Sequence, residues 1–313
     1  MNVLILGGTR FQGRFLVNAL LKENHSVTVF HTGRHSIEAR RRLTDITGDR
    51  NNPAHLERLP ANHFDVCIDT CAYFPEQVRL ARTFIHTAHY CLISTVYVYE
   101  DHEGPIPESH NRIRPAKHLP LKVTAANYAE LKVLCEDAAM ACFGPRSLII
   151  RPTIMIGPGD HTERMAFWVR LIAKHRKLIR VCKSLQKLQF VDVRDLTRFV
   201  QHALREGREG PVNVAGEVVD FDEVIRELAC LSQHEPTKIS VQAVDLPKMG
   251  LDELPYFDSA RQATYATDLA KSWGFESRPI TASLSDIFSH ERANKFALKK
   301  FITLEVAALK LFT

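Results

Sequence analysis

The opening of the chain constrains the fold most. Asn2–Leu6 is a short run, apolar from Val3 to Leu6, followed by Gly7-Gly8-Thr9-Arg10-Phe11-Gln12-Gly13, after which Phe15, Leu16, Ala19, Leu20 and Leu21 recur at helical spacing. An uninterrupted apolar run suits a strand covered on both faces, as in a parallel sheet. A strand, a tight glycine turn and a helix together form a phosphate site, because glycine lets backbone N–H groups approach a pyrophosphate and the helix N-terminus adds positive dipole. Gly7, Gly8 and Gly13 supply the glycines, and Arg10 stands in place of the middle glycine of the usual dinucleotide fingerprint.

The alternation continues. Ser26–Phe30, Asp45–Thr47, Phe64–Asp69, Tyr90–Thr95 and Ser147–Arg151 read as strands, and Pro75–Ala88 and Thr124–Cys142 as helices. Strands separated by helices imply crossover connections, hence an α/β fold with a doubly wound parallel Rossmann sheet. The polar segment 101–120, with four prolines and a glycine, reads as a binding loop. Residues 189–205 read as a strand and helix that return to the first domain. The expected division is a dinucleotide-binding domain over 1–157 and about 189–205, a smaller α/β substrate domain over about 158–188 and 206–289, a cleft between them, and one C-terminal helix over 290–313.

Composition narrows the class. Apolar residues are 45% and charged residues 25% of 313, as in globular chains. No apolar run approaches the ~20 residues that span a bilayer. Met1–Leu6 lacks a basic leader, and seven cysteines are an odd number, so reduced thiols and a cytoplasmic location are expected. The cysteines and histidines have no metal-ligand spacing. A net charge of 41 − 36 = +5 suits an anionic ligand and is too small to point to nucleic acid. A small-molecule substrate and a homodimer are the expected partners. Lys295, Lys299, Lys300 and Lys310 also leave the tail a membrane-surface or partner option, with docking on its own protein or on a twin subunit preferred.

The end of the second strand bears on the cofactor. Folds specific for NAD usually carry Asp or Glu there for the ribose 2′-hydroxyl. His31 occupies the position, and Arg34 follows closely. With no carboxylate to repel a 2′-phosphate, and with Arg10 and Arg34 available to pair with one, NADP is expected, NAD being the alternative. Asp49 is placed to meet the adenine amino group.

Tyr128 and Lys132 share a helical face at i, i+4. A phenol is a poor base at neutral pH, and a nearby ammonium favours its ionised form. Such a tyrosine can exchange a proton with a substrate oxygen while hydride passes to or from nicotinamide. Thr95, at the end of the fifth strand, can donate to the same oxygen.

These motifs, with Arg151-Pro152-Thr153, Gly157-Pro158-Gly159, Gln189–Leu196 and Pro211–Gly216, resemble an extended short-chain dehydrogenase/reductase of the NAD-dependent epimerase/dehydratase superfamily. The glycine turn is most similar to an atypical branch that includes small bacterial reductases and chloroplast stem-loop RNA-binding proteins. The resemblance implies Thr95, Tyr128 and Lys132 as the catalytic set. It implies cofactor contacts at Gly7, Gly8, Thr9, Arg10, Phe11, Gln12, Gly13, His31, Arg34, Asp49, Arg50, Cys71, Ala72, Ser94, Tyr128, Lys132, Arg151, Pro152, Thr153 and Ile154. Tyr73, Thr95 and Arg164 are the substrate contacts, and Arg261 is a further candidate for an anionic group.

Two departures restrict the chemistry. Val96-Tyr97 follows Thr95 where nucleotide-sugar dehydratases carry Asp-Glu, which argues against 4,6-dehydration. Ile154 replaces an asparagine that meets the sugar diphosphate in many epimerases. The leading expectation is therefore an NAD(P)-dependent ketone/alcohol oxidoreductase. An epimerase with retained cofactor is the second. An RNA-binding or scaffold protein is the third, resting on the turn, the charge and the runs Arg40–Arg42 and Lys174–Lys177.

Overall fold

In the computed structural model, which describes residues 1–61, 63–102, 104–182, 187–251, 253–257, 263–297 and 300–312, the chain begins as strand β1 (Asn2–Leu6) and helix α1 (Phe11–Lys22). There follow β2 (Ser26–His31), β3 (Leu43–Thr47), α2 (Pro53–Leu56), β4 (Phe64–Asp69), α3 (Pro75–Phe84), β5 (Thr87–Ile93), the short β6 (Pro105–Ile106), α4 (Tyr128–Phe143) and β7 (Leu148–Pro152). The chain then enters a second unit with β8 (Ile154–Ile156), α5 (Arg164–Ala173), β9 (Lys177–Cys182) and β10 (Lys187–Asp192). It returns for α6 (Val193–Arg205) and β11 (Gly210–Val214), and leaves again for β12 (Val218–Asp220), α7 (Phe221–Ser232) and β13 (Thr237–Gln242). β14 (Thr264–Tyr265) and α8 (Asp268–Ser272) precede the closing helices α9 (Ile280–Ala293) and α10 (Ile302–Lys310).

The first unit is built on a seven-stranded sheet in the order β11-β7-β5-β4-β1-β2-β3, with every neighbouring pair parallel. β1 lies inside it, which accounts for its unbroken apolar run: Val3, Leu4 and Ile5 are fully buried. The order reverses beside β1, since β2 and β3 extend to one side and β4 to the other. The glycine turn at the end of β1 thus lies at the topological switch point, where parallel sheets bind ligands. The core on one face gathers Leu4, Leu6, Phe30, Phe64, Val78 and Leu92.

The second unit holds a three-stranded sheet (β12-β10-β8) and the β13–β9 pair. Its core centres on Trp168, Leu171, Phe221, Leu228 and Leu284. Trp168 is fully buried, and its indole N–H donates to the Pro255 carbonyl at 3.2 Å.

Several boundaries differ from the sequence expectation. α4 begins at Tyr128, not Thr124, because the Asn127 side chain accepts the Thr124 N–H (2.8 Å) and donates to the Lys122 carbonyl (2.9 Å), winding the preceding residues into a turn. α3 stops at Phe84 because Ile85 is extended and the His86 carbonyl accepts the Phe64 N–H at 2.8 Å. β10 pairs with β8 and β12 in the second unit, whereas β11, expected among the substrate elements, edges the large sheet beside β7.

The tail is two helices rather than one. Lys295, Phe296 and Phe301 take left-handed φ of 55°, 53° and 56°, which interrupts the helix. The break lets Phe296 and Phe301, together with Leu304 and Ala308 of α10, pack on the second unit's core. Glu305 secures the fold-back by accepting from Arg170 and from His175. Lys299 and Arg261 lie outside the described residues.

Each unit contains one of the chain's two tryptophans, Trp168 and Trp273. In a Trp273→Phe background, fluorescence therefore reports on the second unit alone. There, Leu284→Ala is expected to lower the urea midpoint by about 2–5 kcal/mol of stability, since Leu284 is fully buried. An unchanged midpoint would contradict its core position.

Candidate active site

The glycine turn is shaped by the absence of side chains. A Cβ on Gly13 would lie 2.5 Å from the Gly8 Cα, and one on Gly7, at φ +96°, would lie 2.4 Å from the Thr70 hydroxyl. α1 therefore sits against the end of β1 at a distance only glycine permits. Phe11, the first residue of α1, has φ +32°, a conformation that costs a non-glycine residue of order 1–3 kcal/mol. Gln12 is buried, and its Nε2 has no hydrogen-bond partner among the described residues. Arg10, at the N-cap of α1, makes no side-chain capping bond. A cradle without side chains, an uncapped helix start and a buried orphan donor fit the pyrophosphate of a dinucleotide.

Lys132 sits deeper in the same unit and is 3% exposed. Its ammonium donates to the Ala72 carbonyl just past β4 (3.0 Å) and to the Ile93 carbonyl at the end of β5 (2.6 Å). Two of its three donors are thereby fixed by the backbone. Tyr128 opens the same helix one turn earlier, so both side chains leave α4 on one face. The ring of Tyr73 completes the group, with its centroid 5.8 Å from the Lys132 ammonium and 6.4 Å from that of Tyr128. Burial pushes the Tyr73 phenol above its ordinary range, Tyr128 adds to the rise, and the Lys132 ammonium opposes it. Thr95 is buried. Its hydroxyl accepts the Tyr97 N–H at 3.3 Å, and its own proton remains available to donate.

Other expected cofactor contacts are committed elsewhere. Arg50 is turned into the protein, where both Nη atoms donate to the Asp69 carboxylate at 2.6 Å, with further bonds to Cys71 Sγ and the Gln77 carbonyl (each 3.2 Å). Burial opposes charge on Asp69, yet Arg50, the Tyr90 hydroxyl and the Cys71 N–H together hold its carboxyl below the usual range. Ser94 donates to Glu136 at 2.6 Å. Arg151 makes a two-pronged pair with the same carboxylate (3.0 and 2.7 Å) and donates to the Tyr99 hydroxyl, which donates on to Asn213. Arg112 also reaches Glu136, at 3.2 Å. These groups brace the C-terminal ends of β5, β7 and β11. Glu136 and Asp69 carry no sequence signal for that role beyond an apolar setting.

Asp49 is exposed, with its carboxylate accepting from the N–H of Asn51 at 2.9 Å. Thr9 is half-buried beside Gly8, and the Ala72 side chain is fully buried. Pro152 and Thr153 are buried at the end of β7, where the Thr153 N–H donates to the Val214 carbonyl at 3.0 Å. Ile154 and Arg164 belong to the second unit. There Arg164 donates to the Thr162 hydroxyl (3.2 Å) and lies 5.7 Å from the Tyr256 ring centre. In the same unit burial, then Glu163 and Asp160, push the Glu291 carboxyl up to about 7.

One expectation rested on the lack of a carboxylate at the end of β2. The structure supplies one from the neighbouring strand: Asp45 of β3 meets His31 Nε2 at 2.5 Å, and His31 Nδ1 accepts the Gly33 N–H at 3.1 Å. Because Nδ1 accepts, the ring proton lies on Nε2 and is donated to Asp45. Arg10 and Arg34 are exposed. Among the basic runs, Arg40 pairs with Asn18 and Glu38, and Lys177 lies over the Phe312 ring.

The model of the NAD dependent epimerase/dehydratase family matches residues 3–216. The chain therefore belongs to this family of enzymes. A 3-beta-hydroxysteroid dehydrogenase of Mycolicibacterium neoaurum is 23% identical over 59% of this chain and 56% of its own length, so the chain spans little more than half of that relative. The UDP-glucuronic acid 4-epimerase of Bacillus cereus, in complex with NAD, superposes with a TM-score of 0.73 at 18% identity, covering 96% of this chain and 99% of that one. The epimerase Mth375 of Methanothermobacter thermautotrophicus gives 0.74 at 15% identity, covering 94% and 92%. These likenesses show the α/β Rossmann-type fold. No helix among the described residues is long and apolar enough to cross a membrane.

Arg50→Met is expected to cost about 3–5 kcal/mol in urea unfolding, because it leaves the Asp69 carboxylate buried without its counter-charge. The pair's stabilisation is full above the unfolded carboxylate's pKa and is lost as pH falls through the depressed folded value. A variant as stable as the wild type would show that Arg50 is held for another purpose.

Proposed function

We propose that the chain is a nicotinamide-dinucleotide-dependent oxidoreductase that interconverts a ketone and its alcohol on a small metabolite. The observation that carries this reading is the buried Lys132 ammonium, pinned by two strand-end carbonyls one helical turn from Tyr128. The backbone of Gly7–Gly13 would hold the pyrophosphate, Asp49 would meet the adenine and Lys132 would hold the nicotinamide ribose. When bound, the dinucleotide supplies the hydride to the substrate carbon or accepts it.

The protein's own residues manage the proton. In the reducing direction Tyr128 gives its phenolic proton to the carbonyl oxygen, which becomes the hydroxyl, and in the oxidising direction it takes that proton back. The Lys132 charge favours the phenolate that forms. Thr95 donates to the same oxygen as charge builds there, and Tyr73 lines the substrate side. Tyr128→Phe is expected to lower kcat by ~10²- to 10⁴-fold with dinucleotide affinity retained. An active Tyr128→Phe enzyme would remove Tyr128 as the acid.

NAD is the preferred cofactor in this reading. The Asp45 carboxylate stands on His31, at the position where a strand-end acid would meet the ribose 2′-hydroxyl, and it repels a 2′-phosphate. Titrations followed by nicotinamide fluorescence should show tighter binding of NADH than of NADPH, with the gap narrowed several-fold by Asp45→Asn. A wild-type preference for NADPH would overturn the assignment to NAD and return the 2′-phosphate to Arg10 and Arg34.

The likeness to a UDP-glucuronic acid 4-epimerase supports a second reading, in which the same residues serve an epimerase that keeps its cofactor. Native mass spectrometry separates the two. Dinucleotide retained through purification, with no net redox turnover, favours the epimerase.

A further inference from the structure

A second concave site lies in the first unit at the end of the large sheet opposite the glycine turn. It is a cavity of about 270 Å³ where the residues leading into β4 and β5 meet the C-terminal ends of α3 and α4. Arg82, Arg146, His63 and His86 line it, and no carboxylate does so among the described residues. Ile85 and Phe143 supply apolar wall, and the Phe143 ring is stacked on Tyr90 with centroids 4.0 Å apart.

The cationic groups are partly arranged in advance. Arg82 Nε donates to the Cys142 carbonyl at 3.0 Å, which fixes the plane of the guanidinium and leaves its Nη edge for a ligand. Capping α4 accounts for Arg82. It does not account for Arg146 or the two imidazoles, which are exposed at the same cavity. The geometry points to a binding site for a small phosphate-bearing anion, separate from the dinucleotide site.

Charge and size together select the ligand class. Guanidinium groups match phosphate oxygens in two-pronged fashion, and a cavity walled by one sign of charge raises the local anion concentration. The volume falls just below the roughly 300–1,000 Å³ of ordinary ligand pockets, so the occupant is small. An extended polyanion such as RNA needs a continuous basic track for its phosphates, whereas the cavity offers two guanidinium groups, Arg82 and Arg146.

The test is calorimetric titration of inorganic pyrophosphate into the whole protein, with and without saturating NAD, for the wild type and Arg146→Gln. Arg146 is exposed, and an unchanged melting temperature confirms that the variant is folded. Saturable binding that survives NAD and weakens about tenfold or more in Arg146→Gln is expected. Binding that vanishes with NAD, or that Arg146→Gln leaves unchanged, overturns the site. A single-stranded RNA that binds far more tightly than pyrophosphate, with the same dependence on Arg146, overturns the small-ligand assignment and gives the pocket to nucleic acid. The outcome is independent of the fate of Tyr128→Phe.

Discussion

Charge is buried along the C-terminal edge of the large sheet, and its compensation is the condition on which the first unit depends. Moving an ion out of water costs several kcal/mol unless partners replace its hydration. Arg50 and Asp69 answer that cost with two hydrogen bonds of 2.6 Å, and Arg151 and Glu136 with two more. Among the described residues no carboxylate lies at hydrogen-bond distance from Lys132, whose ammonium donates to backbone carbonyls.

Two polar systems therefore divide the strand ends between them. One, centred on Asp69 and Glu136, ties the strands to α3, α4 and the loop after β5, and its members have few donors left for a ligand. The other gathers Lys132, Tyr128 and Tyr73, with Lys132 held by backbone carbonyls and Thr95 just past the end of β5. The division explains why Ser94 and Thr95, adjacent hydroxyls at the end of one strand, serve different purposes. Alternation along an extended chain sends them to opposite faces, and Ser94 meets Glu136 while Thr95 keeps its proton.

Much of this was legible in the sequence because it depends on short-range pattern. The apolar run of β1, the glycines at 7, 8 and 13, and the Tyr128–Lys132 spacing are local properties, and periodicity reports them faithfully. The misread boundaries have local causes that pattern cannot see: a side-chain turn at Asn127, an extended Ile85, and left-handed residues at 295, 296 and 301 that fold the tail back. Strand partnership was the least legible. β10 and β11 are both short apolar runs, and nothing in their composition says which sheet each joins.

The sequence by itself determined the parallel α/β class, the glycine turn after β1 and the helical pairing of phenol and ammonium, because each follows from the spacing of neighbouring residues. Only the tertiary structure decided the partners of the buried charges. Arg50 and Arg151 carry the same charge in the sequence as Arg10 and Arg34, yet the fold turns the first two inward onto carboxylates 19 and 15 residues away and leaves the others at the surface. It likewise delivered Asp45 to His31 across two strands. Electrostatic roles are set by distances through space, and a linear chain does not contain those distances until it is folded.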